Sequence, residues 1–160
     1  MSLERTDYNI ATLTKRAYDL ALQAYGLAPT WSALSKRAAK TLDIGILLWL
    51  PMQLEAMHLK ATDPGQHLAL NGVGDDLEMD QFIECLIAEY GRDSLKATQH
   101  EIEFPDQSDY SSYVRGLLEK FKKATEVMCK SDSAFNSLRD DRINTLRSLI
   151  YKLDQNYIKS

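Results

Sequence analysis

Ile44-Gly45-Ile46-Leu47-Leu48-Trp49-Leu50-Pro51-Met52 is the most apolar run in the chain, and its length decides what kind of protein carries it. A helix needs about 20 consecutive apolar residues to cross a bilayer; this run is far shorter and is interrupted by Pro51. Its apolar density is too high for any one helical face, so the run is expected to be the most buried part of a globular fold rather than a membrane span. Proline removes a backbone donor and crowds the preceding turn unless it stands first in a helix, so a break is expected at Pro51.

Upstream of this run, Ile10, Leu13, Ala17, Leu20 and Ala24 recur at spacings of three and four, the mark of a helix face. Asp7 or Thr6 can cap that helix and Gly26 can stop it, while Tyr18, Leu22 and Tyr25 form a second apolar row beside the first. Pro29 and Thr30 open a second helix through Trp31, Leu34, Ala38 and Leu42, whose polar side carries Lys36, Arg37 and Lys40. Downstream, a helix containing Leu54, Met57 and His58 is expected to end before Asp63-Pro64-Gly65. Gln66 to Asp76, with Asn71-Gly72-Val73-Gly74 inside it, reads as the one substantial loop.

Asp75 or Asp76 is then expected to cap a helix with the stripe Met79, Phe82, Ile83, Leu86, Ile87 and Tyr90, ending at Gly91. A short helix is expected from Ser94 to Glu101, before Phe104-Pro105-Asp106. Ser108 or Asp109 opens a long helix with the face Tyr110, Tyr113, Val114, Leu117, Phe121, Ala124 and Met128. The last helix shows Ile143, Leu146, Ile150, Leu153 and Tyr157 at spacings of three and four, a seam too short for a coiled coil. No stretch alternates in the manner of a strand and no repeat is visible. The expected architecture is all-α: one domain over residues 1–160, a compact bundle of six or seven helices without significant β-sheet.

The 160 residues suffice for one hydrophobic core, and 7 Gly with 4 Pro are too few for a long linker. Cys85 and Cys129 lie far apart, without a second Cys or His at metal-binding spacing, so reduced thiols are expected. The first residues show no basic stretch followed by an apolar one, so no signal peptide and a cytoplasmic location are expected. The net charge of -4 conceals a pattern: residues 1–50 carry +2, residues 51–110 carry -10 and residues 111–160 carry +4. An acidic middle third of this kind gives no general attraction to phosphate and disfavours nucleic acid as the partner.

Few motifs carry chemistry. Glu55 and His58 have the Glu-x-x-His spacing that points two metal ligands the same way from one helical turn. Carboxylate-bridged sites need a second such pair, which this chain lacks, so a hydrogen-bonded His is expected and no metal or cofactor. Gly74 to Asp80 is acidic but lacks the alternating acids and mid-loop glycine of a calcium loop, and the Gly-x-Gly at residues 72–74 follows no expected strand. Asp63 and His67 are separated by Pro64-Gly65, so no shared helical face is expected for them.

Two family resemblances arise from the residues. Arg92 and His100 resemble the Arg and His pair of HEPN-type ribonucleases, with seven residues between them, a longer gap than that family uses, and Asp93 beside the arginine. The resemblance implies a helical ribonuclease or other hydrolase, and no catalytic residue is assigned from it. Residues 10–57, through Tyr25-Gly26, Thr30, Ala38-Ala39, Gly45, Leu47, Trp49, Pro51 and Glu55-Ala56, resemble the helix-turn-helix region of TetR-type repressors with one inserted residue near Thr41. That implies a DNA-binding regulator using residues 28–50, with Lys36, Arg37 and Lys40 on phosphates. Ile44 to Leu50 would then have to be exposed, yet it offers base edges nothing beyond the Trp49 indole.

The primary expectation is a small cytoplasmic regulatory or adaptor protein that binds another protein. Asp75, Asp76, Glu78, Asp80, Glu84 and Glu89 form the candidate surface, and the expected partner has a basic surface, a second copy of the chain included.

Overall fold

The structure is a computed structural model that describes residues 15–26, 42–129 and 135–159. Residues 15–24 form helix α1. A two-residue strand β1 (Leu42–Asp43) leads into α2 (Gly45–Lys60), followed by α3 (Pro64–Leu70), the single turn α4 (Val73–Asp76) and α5 (Met79–Tyr90). A second two-residue strand, β2 (Leu95–Lys96), pairs in parallel with β1 in the register Leu42 to Leu95 and Asp43 to Lys96. Helices α6 (Tyr110–Glu126) and α7 (Phe135–Lys159) complete the fold. Among the described residues this is the only sheet, and the all-α reading holds.

Among the described residues five helices of about two turns or more follow α1 from Gly45 onward, and the expected count of six or seven is corrected. One reason is Pro51, which sits inside α2 and does not divide it. The burial of Leu47, Leu48, Trp49 and Leu50 before it and Leu54, Ala56 and Met57 after it holds both halves in one helix. Hydrophobic burial of this order, about 1.5–3 kcal/mol per large side chain, is enough to offset a lost backbone bond of about 1 kcal/mol. The other reason is residues 94–101, which form no helix; Arg92–Ser94 make one 3-10 turn and the chain then runs extended.

Three further expectations are corrected. Gln66 to Asp76 is not a loop, because Asp63 accepts a hydrogen bond from the Gln66 amide as N-cap while Pro64 stands first in α3, where its missing donor costs nothing. Asp75 and Asp76 do not cap α5; Glu78 occupies that position in the left-handed region, φ 47°, without a side-chain cap bond. In α1 only the second of the two apolar rows is buried: Tyr18 and Leu22 are buried and Tyr25 is half-buried, whereas Ala17, Leu20 and Ala24 are exposed. The second apolar row, which carries the aromatic area, wins the core.

The core agrees with the apolar rows elsewhere. Ile44, Leu47, Trp49 and Leu50 join Met79, Phe82, Ile83 and Leu86 of α5, Tyr110, Val114, Leu117 and Phe121 of α6 and Ile143, Leu146, Ile150 and Leu153 of α7 in one cluster. Gly91 ends α5 at φ +80°, the conformation that favours glycine after a helix.

The extended chain after β2 is held along α2 by hydrogen bonds to its backbone. Trp49 Nε1 donates to the Glu101 carbonyl at 2.9 Å. Gln53, one turn on and fully buried, donates to the Glu103 carbonyl and accepts from the Glu103 amide, both at 2.8 Å. Four residues of helix rise about 6 Å and two residues of strand advance about 6.6 Å, so an i, i+4 pair on a helix matches alternate residues of an extended chain. At the far end Gln107 donates to the Lys60 carbonyl and accepts from the Thr62 amide and hydroxyl, and Gln66 donates to the Gln107 carbonyl.

At the near end Asp43 accepts from the Thr98 amide, the Thr98 hydroxyl and the Gly45 amide. Burial pushes its carboxyl pKa up, but those bonds and the Lys96 charge more than reverse this and leave it below the usual carboxylate range. A folded pKa below the unfolded one means stability that is present above the unfolded value, about 3.9, and lost as pH falls through the folded value. Asp43→Asn is therefore expected to lower the urea midpoint at neutral pH, and the gap from the parent should close as the pH is taken below about 4. A gap of constant size down to acid pH would mean that the carboxylate charge contributes nothing.

Candidate functional site

All six acidic residues singled out from the sequence, Asp75, Asp76, Glu78, Asp80, Glu84 and Glu89, are exposed. Asp75, Glu78 and Asp80 line one groove of about 470 Å³ together with Pro51, Gly74, Met79 and Gln81. The groove forms because α4 lies directly on α2: a Cβ on Gly74 would stand 2.9 Å from the Pro51 carbonyl oxygen. Glu84 follows Asp80 by one turn and shares its side of α5, and Asp76 belongs to the same turn as Asp75. Glu89, nine residues beyond Asp80, falls on the other edge of the exposed arc and is not gathered with the rest.

Two side chains fix the rim. Tyr25 donates its hydroxyl to Asp80 Oδ1 at 2.5 Å. Burial, that hydrogen bond and the charges of Asp80 and Glu84 push the Tyr25 phenol well above its usual range, so it remains a donor. Arg142, 4% exposed, reaches from α7 with its guanidinium over the Phe82 ring at 5.5 Å. It donates to the Glu78 carbonyl at 2.8 Å and so holds the left-handed residue that ends α4 and begins α5. Among the described residues none of the six carboxylates forms an ion pair, and no aspartate caps α5.

The DNA-binding positions divide. Lys36, Arg37 and Lys40 lie outside the described residues, while Ile44, Leu47, Leu48, Trp49 and Leu50 are all buried and cannot present themselves to a groove. The Arg92 and His100 pair does not form a unit either. His100 lines a cavity of about 310 Å³ with Lys15, Tyr18, Met52, Gln99, Glu101 and Ile102, whereas Arg92 lies against Gly26. No helix carries both.

Glu55 and His58 do share a turn of α2, with His58 Nδ1 3.4 Å from Glu55 Oε1. What the sequence does not bring to them is His67, whose ring centroid lies 4.2 Å from that of His58. Their separation of nine residues has no meaning on one helix; the corner between α2 and α3 makes the approach. Asp63 followed by Pro64 is the one local signal that could have placed a helix start there. Among the described residues no group of three or more His, Cys, Asp or Glu side chains is arranged to hold a metal ion. Cys85 and Cys129 are free thiols, and no helix of the described residues is long and apolar enough to cross a membrane.

The chain matches no curated protein and no solved structure. A family model does match, from His58 near the end of α2 to Leu153 in α7, a stretch that includes the whole of the acidic rim supplied by α4 and α5. Because residues 58–153 make up more than half of the chain, the protein belongs to that family, described as a family of unknown function (DUF5856).

Proposed function

We propose that this domain is a small regulatory or adaptor protein of the cytoplasm that acts by receiving a basic segment of another protein in the acidic groove between α2, α4 and α5. The observation that carries this reading is the state of the carboxylates: Asp75, Glu78 and Asp80 line one concave surface, exposed and without a cationic partner among the described residues. The apolar floor of Pro51 and Met79 under a charged rim suits a Lys or Arg side chain, whose methylene stem lies on apolar surface while its charge meets carboxylate. Free Cys85 and Cys129 agree with a reducing location.

The test is a panel of Lys- and Arg-rich peptides against the full chain, read by fluorescence anisotropy. Binding is expected to weaken by about tenfold or more from low to near-physiological salt, as the Debye length contracts from about 30 to 8 Å. It should weaken further in an Asp75→Lys, Glu84→Lys double variant, which changes exposed positions and leaves the Asp80 bond to Tyr25 intact. Binding that ignores both salt and charge reversal would remove the acidic groove from the account. A homodimer is the version in which the basic surface belongs to a second copy, and sedimentation at low and high salt would reveal it.

A further inference from the structure

The corner between α2 and α3 holds two imidazoles in an arrangement that neither packing nor the acidic groove explains. His58 is largely buried, and its Nε2 is shielded from solvent with no protein group bonded to it. Burying a polar nitrogen without a partner is unfavourable, and a bound ion is one way to satisfy it. The other ring nitrogen, Nδ1, faces the Glu55 carboxylate at 3.4 Å. A carboxylate accepts, so the proton belongs on Nδ1 and the lone pair on Nε2.

His67 has the same arrangement. Its Nδ1 lies 3.1 Å from the backbone carbonyl of His58, which also can only accept, so its lone pair likewise resides on Nε2. The rings are 4.2 Å apart between centroids and inclined by 35°. Imidazoles oriented through Nδ1–H to a carboxylate or a carbonyl are the form in which histidine ligates metal. Asp63 caps α3, and Gln107 ties Lys60 and Thr62 to Gln66, so the corner that brings the rings together is fixed on both sides.

We propose that His58 and His67 bind a divalent transition-metal ion through their two Nε2 atoms, with water in the remaining positions and Glu55 acting as the positioning residue of His58. Neutral imidazole pairs select ions of the zinc class over magnesium or calcium, which require oxygen ligands. Glu55 and His58 thus do not serve as two ligands from one turn; one is ligand and the other orients it.

The experiment titrates the full chain, freed of metal by chelator, with Zn²⁺ alone, by calorimetry and by ¹⁵N spectra of the histidine rings. One equivalent is expected to bind, with the Nε2 resonances of both His58 and His67 shifting and those of His100 unmoved. His67→Ala changes an exposed residue and leaves the fold intact, yet should weaken binding about tenfold or more, and Glu55→Gln should weaken it about 10–100-fold. Mg²⁺ should produce no response. Absence of Zn²⁺ binding at millimolar ion, affinity unchanged in His67→Ala, or shifts confined to Nδ1 would each overturn the proposal.

Discussion

Gly45→Ala is expected to destabilise the fold by about 3–5 kcal/mol: about 1–3 from overpacking and about 1 for each hydrogen bond displaced. A Cβ at this position would stand 2.1 Å from the Thr98 carbonyl oxygen and 3.0 Å from the Thr98 amide nitrogen. The obstacle is backbone, and it cannot yield cheaply. Asp43 holds Thr98 through its amide and hydroxyl, and Tyr18 donates to the same carbonyl at 2.7 Å. Gly45 is therefore where the extended chain crosses the start of α2 at a distance only a residue without a side chain permits. Gly116 is the internal control: it lies in α6, exposed, and a Cβ added there would meet nothing within 4 Å. Gly116→Ala should raise stability by about 0.5–1 kcal/mol through helix propensity alone. Urea denaturation of the two variants should move the midpoint in opposite directions, and similar small shifts for both would refute the close approach at Gly45.

The contrast between these two glycines marks how far the sequence can be read. Where side chains meet across regular helices, periodicity alone identifies the partners. Met79, Phe82, Ile83 and Leu86, or Val114, Leu117 and Phe121, are buried as their spacing requires. In α1 two apolar rows compete, and spacing does not say which meets the core; Tyr18 and Leu22 do, and Leu20 is left 55% exposed. Pro51 carries a local cost that argues for a break, and tertiary burial on both sides of it overrides that cost. The chain from Leu95 to Asp109 has no periodicity to read, because Trp49, Gln53 and Asp43 recognise its backbone atoms, which any sequence presents. The acidic rim is legible as composition, and its concavity is not, since that depends on Gly74 settling on Pro51. His67 is invisible as a neighbour of His58 for the same reason: a turn, not a period, brings them together.

The second large effect is expected at Trp49, where the helix and the extended chain share one side chain. Trp49→Ala should cost about 3–5 kcal/mol, the range for deleting a large buried aromatic. The indole is 1% exposed, its ring lies under the Lys120 ammonium at 5.3 Å and its Nε1 donates to the Glu101 carbonyl. Trp49→Phe separates the contributions. It retains most of the apolar contact and removes the donor, so the remaining loss of about 1–3 kcal/mol measures an unpaired Glu101 carbonyl. Gln53→Leu makes the complementary cut, freeing the amide and carbonyl of Glu103 while filling the same space. Because Trp49 and Gln53 grip residues two apart on one extended chain, the losses in Trp49→Phe and Gln53→Leu should not add. Once one grip is lost the chain drifts and the other grip weakens with it. Hydrogen exchange at the Glu103 amide reports this directly: in Trp49→Phe it should speed up more than amides within α7, whose backbone the indole Nε1 does not bond. Uniform acceleration across α7 and Glu103 would instead mean that the extended chain opens only when the whole domain unfolds.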